Sequence, residues 1–236
     1  MNKIAIIIPT YHEEKNIKRL IQKINKYLKQ VIIFIIDDTP KKIIKPTCEK
    51  FKNVSYFHRK NKRGRGSAVI FGIKKALKNK NIKLIIEMDS DFSHNPKELN
   101  NKINYFNQNR LDLLIASRYL QESKIINWSL SRRIFSILSN MLARFFLKIN
   151  LRDFTNGFRF YSIRSAKKIV KKCGNIGDGF IILSEIIVVI NNNNFRIKEL
   201  PTIFINRSRG ESSVNLKLIL QSLYGLIKLT FIKNKL

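Results

Sequence analysis

Leu84-Ile85-Ile86-Glu87-Met88-Asp89-Ser90-Asp91 is the stretch on which the fold turns. Its first half is a short apolar run of the kind that forms a strand buried on both faces. Its second half leaves that strand with two carboxylates at i and i+2. The same pattern occurs twice upstream. Ile4 to Ile8 runs into Pro9-Thr10-Tyr11-His12-Glu13-Glu14, and Val31 to Ile36 runs into Asp37-Asp38. Val54 to Phe57 and Leu113 to Ala116 read as further strands. Between them, Ile17, Leu20, Ile21, Ile24 and Leu28 recur at helical spacing, and Ser67 to Leu77 reads as another helix. Near-continuous Ile/Val/Leu runs separated by helices predict an α/β fold with a mostly parallel sheet covered on both faces. In such sheets ligands bind beyond the carboxyl ends of the strands. Acidic residues gather at that edge in a chain that is otherwise strongly basic.

The chain has 236 residues, enough for one α/β domain with a sizeable core. It has no linker-like tract and no internal repeat. Asn191 to Asn194 reads as a loop between apolar segments. Lys and Arg number 46 against 16 Asp and Glu, a formal charge of +30. Two readings of this charge stand: an anionic partner, or a background rich in Lys, Asn and Ile. Cys48 and Cys173 have no metal-like spacing, which suits a reducing compartment rather than a disulfide scaffold. The apolar run that ends at Pro9 is too short for a signal peptide, and no run approaches the length that crosses a bilayer.

The second half has a different pattern. Ile134, Phe135, Ile137, Leu138, Met141, Leu142, Phe145 and Phe146 make one amphipathic helix over 131–149. Leu216, Ile219, Leu220, Leu223, Ile227 and Phe231 make another over 214–232. Wide apolar faces with basic flanks suit either core packing or a helix lying in a membrane interface.

Asp89 and Asp91 can converge on one hard divalent cation, which takes oxygen ligands and leaves room for diphosphate oxygens. A carboxylate in the Asp37-Asp38 pair suits hydrogen bonds from a nucleobase or a ribose, or else a plain turn. Arg63-Gly64-Arg65-Gly66-Ser67 precedes a helix, whose N-terminus favours anions. Its spacing is neither a P-loop nor a dinucleotide fingerprint, and a flexible basic loop fits it equally.

Taken in order, these pieces resemble family 2 glycosyltransferases of GT-A fold, and more closely the polyprenyl-phosphate (dolichyl-phosphate) mannose synthases. The resemblance rests on Pro9-Thr10-Tyr11-His12-Glu13, Ile36-Asp37-Asp38, Arg63 to Ala68 and Met88 to Pro96. It continues through Ser117-Arg118-Tyr119, Trp128 to Ser136, Asp153 to Arg159 and Gly210-Glu211-Ser212. It implies a single GT-A domain over 1–236, with a nucleotide-sugar half (1–120) and an acceptor half (121–236) that carries the amphipathic helices. By matching position, Pro9, Tyr11, Glu13 and Asp38 would line the nucleotide pocket. Asp89 and Asp91 would bind Mg²⁺ or Mn²⁺, with Ser93 at the position of a third, variable ligand. Arg118 and Arg207 would face phosphates. Arg132 and Ser136 would hold the lipid phosphate, and Asp153 and Arg159 match a motif near the acceptor. Two departures stand out: Thr39-Pro40 where the family has Gly-Ser, and Ser213 where it has lysine, for which Arg209 is the nearby substitute.

The resemblance implies inverting transfer of a hexosyl group, mannosyl from GDP-mannose, to a polyprenyl monophosphate. Asp91 and Arg132 would be the residues closest to the chemistry. The expected place is the cytoplasmic face of a membrane, held peripherally by an anionic lipid surface or by a membrane-protein partner. UDP-glucose as donor, or a polysaccharide acceptor, is the nearest alternative. Nucleic acid is not an expected partner. No zinc or RNA-binding aromatic pattern occurs, and acidic strand ends would repel a polyanion.

Overall fold

Ile4 to Ile8 lie at the centre of the architecture, where every side chain in the run has an apolar surface to meet. In the computed structural model, which describes residues 3–60, 64–177, 181–206 and 216–236, they lie in β1 (Lys3–Thr10), a central strand. Side chains alternate between faces along a strand. Ala5 and Ile7 enter one core cluster; Ile6 and Ile8 enter a second on the opposite face.

The chain continues through α1 (Ile17–Tyr27), β2 (Val31–Asp37), α2 (Lys45–Glu49), β3 (Val54–His58), α3 (Arg65–Ala76) and β4 (Ile82–Glu87). Then come α4 (Leu99–Gln108), β5 (Leu113–Ser117), β6 (Lys124–Ile126), α5 (Leu130–Leu147) and β7 (Arg159–Ser162). The last elements are α6 (Ile163–Lys172), α7 (Ile181–Asn192), β8 (Ile197–Pro201), β9 (Ile203–Ile205) and α8 (Leu216–Ile232). Seven strands form one sheet in the order β3-β2-β1-β4-β7-β5-β8, and β6 pairs with β9 beside it. Among the described strands only β7 runs antiparallel in the large sheet, between β4 and β5. The sheet therefore draws strands from both halves of the chain.

This order creates a switch point. From β1 the chain winds outward through β2 and β3, then returns to place β4 on the other side of β1. The crevice beyond the carboxyl ends of β1 and β4 is where such sheets bind ligands. Thr10 lies opposite Asp37, Asp37 opposite His58, and Glu87 opposite Ile7. Because β7 is antiparallel, its first residue, Arg159, lies opposite Glu87 and brings the preceding loop to the same edge.

The helices follow their sequence pattern. α1 buries Ile17, Leu20, Ile21 and Ile24 and leaves its lysines out. α7 is buried from Ile181 to Ile190 on every side, as a helix this apolar must be, and it carries Ser184 and Glu185 into the interior with it. α3 lies close on the sheet because Gly72 has no side chain: a Cβ there would fall 2.4 Å from Cγ2 of Ile7. α5 differs. Its buried stripe is Ser136, Asn140, Ala143 and Leu147. Its large apolar residues face outward, with Leu130 73%, Met141 60% and Phe145 74% exposed. Core packing therefore does not account for this face. On α8, which packs beside α5, Tyr224 and Phe231 are 70% and 82% exposed. Among the described residues no helix is long and apolar enough to cross a membrane.

Candidate active site

The exit of β4 is stapled to the exit of β1. Met88 N–H donates to the Ile7 carbonyl at 3.1 Å, and the Ser90 hydroxyl donates to the Pro9 carbonyl at 3.2 Å. The chain then turns through Phe92 at φ +65°, a left-handed conformation that costs a bulky residue about 1–3 kcal/mol. The turn returns the Ser93 N–H to Oδ1 of Asp91 at 3.0 Å. The Phe92 ring lies under the cations of Lys23 and Arg19, at 5.1 and 5.8 Å. His94 Nδ1 accepts from the Asp89 N–H at 3.0 Å, so the ring proton sits on Nε2. That nitrogen faces Asn156 Oδ1 at 3.0 Å and Asp89 Oδ2 at 3.6 Å.

Arg65, the first residue of α3, reaches across to this turn. Its Nε and Nη2 donate to Asp89 Oδ1 at 2.9 and 2.7 Å, and its Nη1 donates to Glu87 Oε1 at 2.5 Å. Glu87 is fully buried and accepts from the Tyr161 hydroxyl at 2.6 Å. Burial alone would lower the Arg65 pKa; the carboxylates of Asp89 and Glu87 more than offset this and hold it raised.

Asp89 and Asp91 supply hard oxygen donors, and the buried Ser93 hydroxyl makes no hydrogen bond. That donor chemistry fits Mg²⁺ or Mn²⁺. Among the described residues no group of three or more His, Cys, Asp or Glu forms a closed metal cage.

At the ends of β1 and β2, Asp37 is fully buried and accepts from the Thr10 hydroxyl, the Thr39 N–H and the Tyr56 hydroxyl. Both oxygens of Asp38 accept from Arg59, through Nε and Nη2 at 2.5 Å each. The side chain expected to face a base or ribose is thus engaged by an arginine. Pro9 and Tyr11 lie at the same edge, with Tyr11 41% exposed, and Glu13 accepts from Asn16 Nδ2 at 2.7 Å.

Arg118 follows β5. Its Nε and Nη2 donate to the two oxygens of Asp153 at 2.8 and 2.7 Å, and Nη2 also donates to the Thr155 hydroxyl at 2.6 Å. Burial alone would lower the Arg118 pKa and raise that of Asp153; their pairing reverses both shifts and keeps both charged. The Arg118 guanidinium lies 5.3 Å from the Trp128 ring centroid, and that of Arg132 lies 4.5 Å from the same ring. Arg132 also donates to Asn206 Oδ1 at 2.8 Å. Ser136 accepts from the Tyr119 hydroxyl at 2.6 Å.

A continuous set of contacts joins the two groups. It runs from Asp89 to His94, then Phe204 at 5.8 Å, Trp128 at 5.2 Å and Arg132. Arg159 stands apart. It is fully buried, and its guanidinium donates to the carbonyls of Phe154, Asn156 and Leu183. The motif that matched it is therefore held together by it at the backbone. Arg207, Arg209, Ser213 and the Gly210-Glu211-Ser212 motif lie outside the described residues.

Sequence reasoning assigned no role to Arg59, Arg65, His94, Trp128 or Asn156. A signal existed for Arg65: a lone arginine between two glycines at a helix start, in a fold whose strand ends are acidic.

The family model described as glycosyl transferase family 2 matches residues 5–170. The chain is 28% identical over 218 residues to the polyprenol monophosphomannose synthase of Mycolicibacterium smegmatis, a match covering 90% of this chain and 81% of that one. It is 32% identical over 240 residues to the dolichol-phosphate mannosyltransferase of Pyrococcus furiosus, covering 96% of this chain and 64% of that protein. The chain thus spans just under two thirds of that second relative. A solved structure of glucosyl-3-phosphoglycerate synthase from Mycobacterium tuberculosis, in complex with Mn²⁺, UDP and glucosyl-3-phosphoglycerate, matches 99% of this chain and 80% of its own. Its TM-score is 0.66 at 13% identity, a likeness of fold. With the family match running from β1 into α6 across a sheet of GT-A type, the chain belongs to glycosyl transferase family 2 and is a glycosyltransferase.

Proposed function

We propose that this enzyme transfers a hexosyl group, mannosyl from GDP-mannose, to a polyprenyl monophosphate at a membrane surface, with inversion. One observation carries the reading. The helix that carries Arg132 and Ser136 is also the helix that turns its large apolar side chains outward. An acceptor with an anionic head and an apolar tail would meet both at once. The names of the two curated relatives support the same acceptor and sugar.

In this reading Asp89, Asp91 and the Ser93 hydroxyl hold Mg²⁺ or Mn²⁺, and the ion, when bound, neutralises charge on the departing nucleoside diphosphate. Pro9, Tyr11, Glu13 and Asp38 border the nucleotide, with Asp38 fixed by Arg59. The crevice between β1 and β4 orients the donor. Arg132 and Ser136 bind the acceptor phosphate, and Arg118, locked by Asp153, adds a second positive charge beside the Trp128 ring. Arg207 contributes a further phosphate contact. The acceptor needs little help from a general base, since its second pKa is about 6. Rate enhancement then comes from positioning and charge stabilisation.

The exposed faces of α5 and α8 dock on an anionic bilayer or a membrane-protein partner, on the cytoplasmic side. The test is incubation with labelled GDP-mannose or UDP-glucose and polyprenyl phosphate, with and without Mn²⁺. A lipid-extractable mannosyl product that needs Mn²⁺ is expected. A product from UDP-glucose alone would replace the donor, and no lipid product from either would overturn the reading.

A further inference from the structure

Gly64-Arg65-Gly66 takes no part in the function as proposed, yet its placement is tightly specified. Gly64 sits at φ +83°, outside the range that other residues favour, and caps α3 so that Arg65 begins the helix. The Arg65 guanidinium then lies directly over Gly157: a Cβ there would fall 1.8 Å from Nη2 and 2.6 Å from Cζ. The loop from Asp153 to Arg159 thus supplies a seat that only glycine leaves open. From this seat the guanidinium grips Oδ1 of Asp89 with two nitrogens and buried Glu87 with a third. Glu87 is held in place by the Tyr161 hydroxyl. One of the two carboxylates proposed to meet a divalent cation therefore already carries a cation.

We infer that Arg65 is a positioning residue that acts through Asp89: it weakens the hold of the donor-free site on divalent metal and so couples metal binding to the nucleoside diphosphate. The inference rests on the proposed metal and diphosphate site. A divalent ion arriving alone at Asp89 meets a fixed positive charge within hydrogen-bonding distance of the same carboxylate. A diphosphate that arrives with the ion brings negative charge that offsets this repulsion. Glu87 keeps one nitrogen of Arg65 in both states, while the two nitrogens on Asp89 turn to the diphosphate oxygens when these are present, so the competition for Asp89 is relieved only in the diphosphate-bound state. Metal and diphosphate therefore each raise the affinity for the other by the same factor, as linkage requires.

The experiment is a titration of free Mn²⁺, followed by electron paramagnetic resonance, with and without GDP, on the wild type and three variants. Arg65→Gln removes the competing charge. Arg65→Gln/Glu87→Gln does so without leaving a buried carboxylate unpaired, should the single variant fold poorly. Gly157→Ala keeps every charge and displaces the guanidinium sterically. Each is expected to bind Mn²⁺ more tightly without GDP, by about tenfold in Arg65→Gln, where a tenfold change is a modest electrostatic effect. The enhancement produced by GDP should shrink by the same factor. A donor-free Mn²⁺ affinity that is unchanged or lower in all three overturns the inference while leaving a metal-dependent transferase in place. If neither the wild type nor Arg65→Gln binds Mn²⁺, even with GDP, the proposed metal site fails and the inference falls with it.

Discussion

Replacing Asp153 with alanine is the perturbation whose cost the structure defines most fully. Asp153 is completely buried. Its carboxylate accepts from Arg118 Nε and Nη2, and from the backbone N–H groups of Arg118, Thr155 and Asn156, at 2.7–3.1 Å. Asp153→Ala leaves the buried Arg118 without its counter-ion. Breaking a buried pair from one side costs about 3–5 kcal/mol. It also orphans backbone donors in the loop, each worth about 1–3 kcal/mol where water cannot replace the acceptor. A total near 4 kcal/mol is a floor, and for a chain of this size it lowers Tm by about 8–16 °C. Arg118→Met should cost less, because the Asp153 carboxylate keeps its three backbone donors. The double variant should recover about 2 kcal/mol relative to the sum of the singles. The assay is urea unfolding of all four proteins at one pH. A loss below about 1.5 kcal/mol in Asp153→Ala, or additivity within about 0.5 kcal/mol, would refute the pairing as the loop's organising contact.

Asp91→Ala should abolish transfer; activity with and without Mn²⁺ checks it. Glu185 gives a pH signature. Burial raises its pKa, the backbone N–H groups of Gly174 and Asn175 and the charge of Lys228 only partly offset this, and its Oε1 has no partner. The folded chain holds that proton more tightly than the unfolded one, so this group favours folding at low pH. Its contribution is lost as pH rises from the ordinary carboxylate value through the raised one. Glu185→Gln should flatten the stability profile across that window in thermal melts; an unchanged slope would count against it. Leu138→Glu/Met141→Glu/Phe145→Glu on the outer face of α5 should leave Tm within a few degrees yet abolish sedimentation with anionic liposomes at low salt. Retained sedimentation would move the docking surface elsewhere.

What could be read from the amino-acid order was whatever depends on near neighbours. The strands β1, β2, β4 and β5 announced themselves because both faces are covered, so each is almost wholly apolar. The exit of β4 into Asp89 and Asp91 was legible from the apolar run that precedes them, while the turn through Phe92 was not. β7 was not. Arg159-Phe160-Tyr161-Ser162 is short and begins with a charge, and it becomes a strand by slotting between β4 and β5. Its arginine is tolerated only because three carbonyls surround it. The Arg65 bridge was equally hidden: Glu87 and Asp89 lie 22 and 24 residues away, and only the packing of α3 beside β1 and β4 brings them together. The departure at Thr39-Pro40 proves locally self-sufficient. Thr39 donates its N–H to Asp37, accepts from the His12 N–H and offers its carbonyl to His58, so the loop is fixed without the usual glycine.

On the proposed function, α5 ties the recognition of an acceptor to the shape of the site. A helix that packs on a core ordinarily buries large apolar residues. Here the inward stripe is mostly small or polar, and it is tied to the catalytic edge by hydrogen bonds. Ser136 accepts from Tyr119, next to Arg118. Asn140 accepts from the Phe154 N–H at 2.6 Å, next to Asp153. Exposed apolar surface on the scale of the outer face marks an interaction site in a soluble protein. A surface that covers it, whether lipid or protein, presses on a helix whose other side grips the residues that hold Arg118. Any shift of α5 on docking would therefore reach the guanidinium pair at Trp128 through two short polar contacts, without passing through the apolar core. On the proposed function, the element that finds the acceptor's tail and the element that sets the geometry at its phosphate are the same helix.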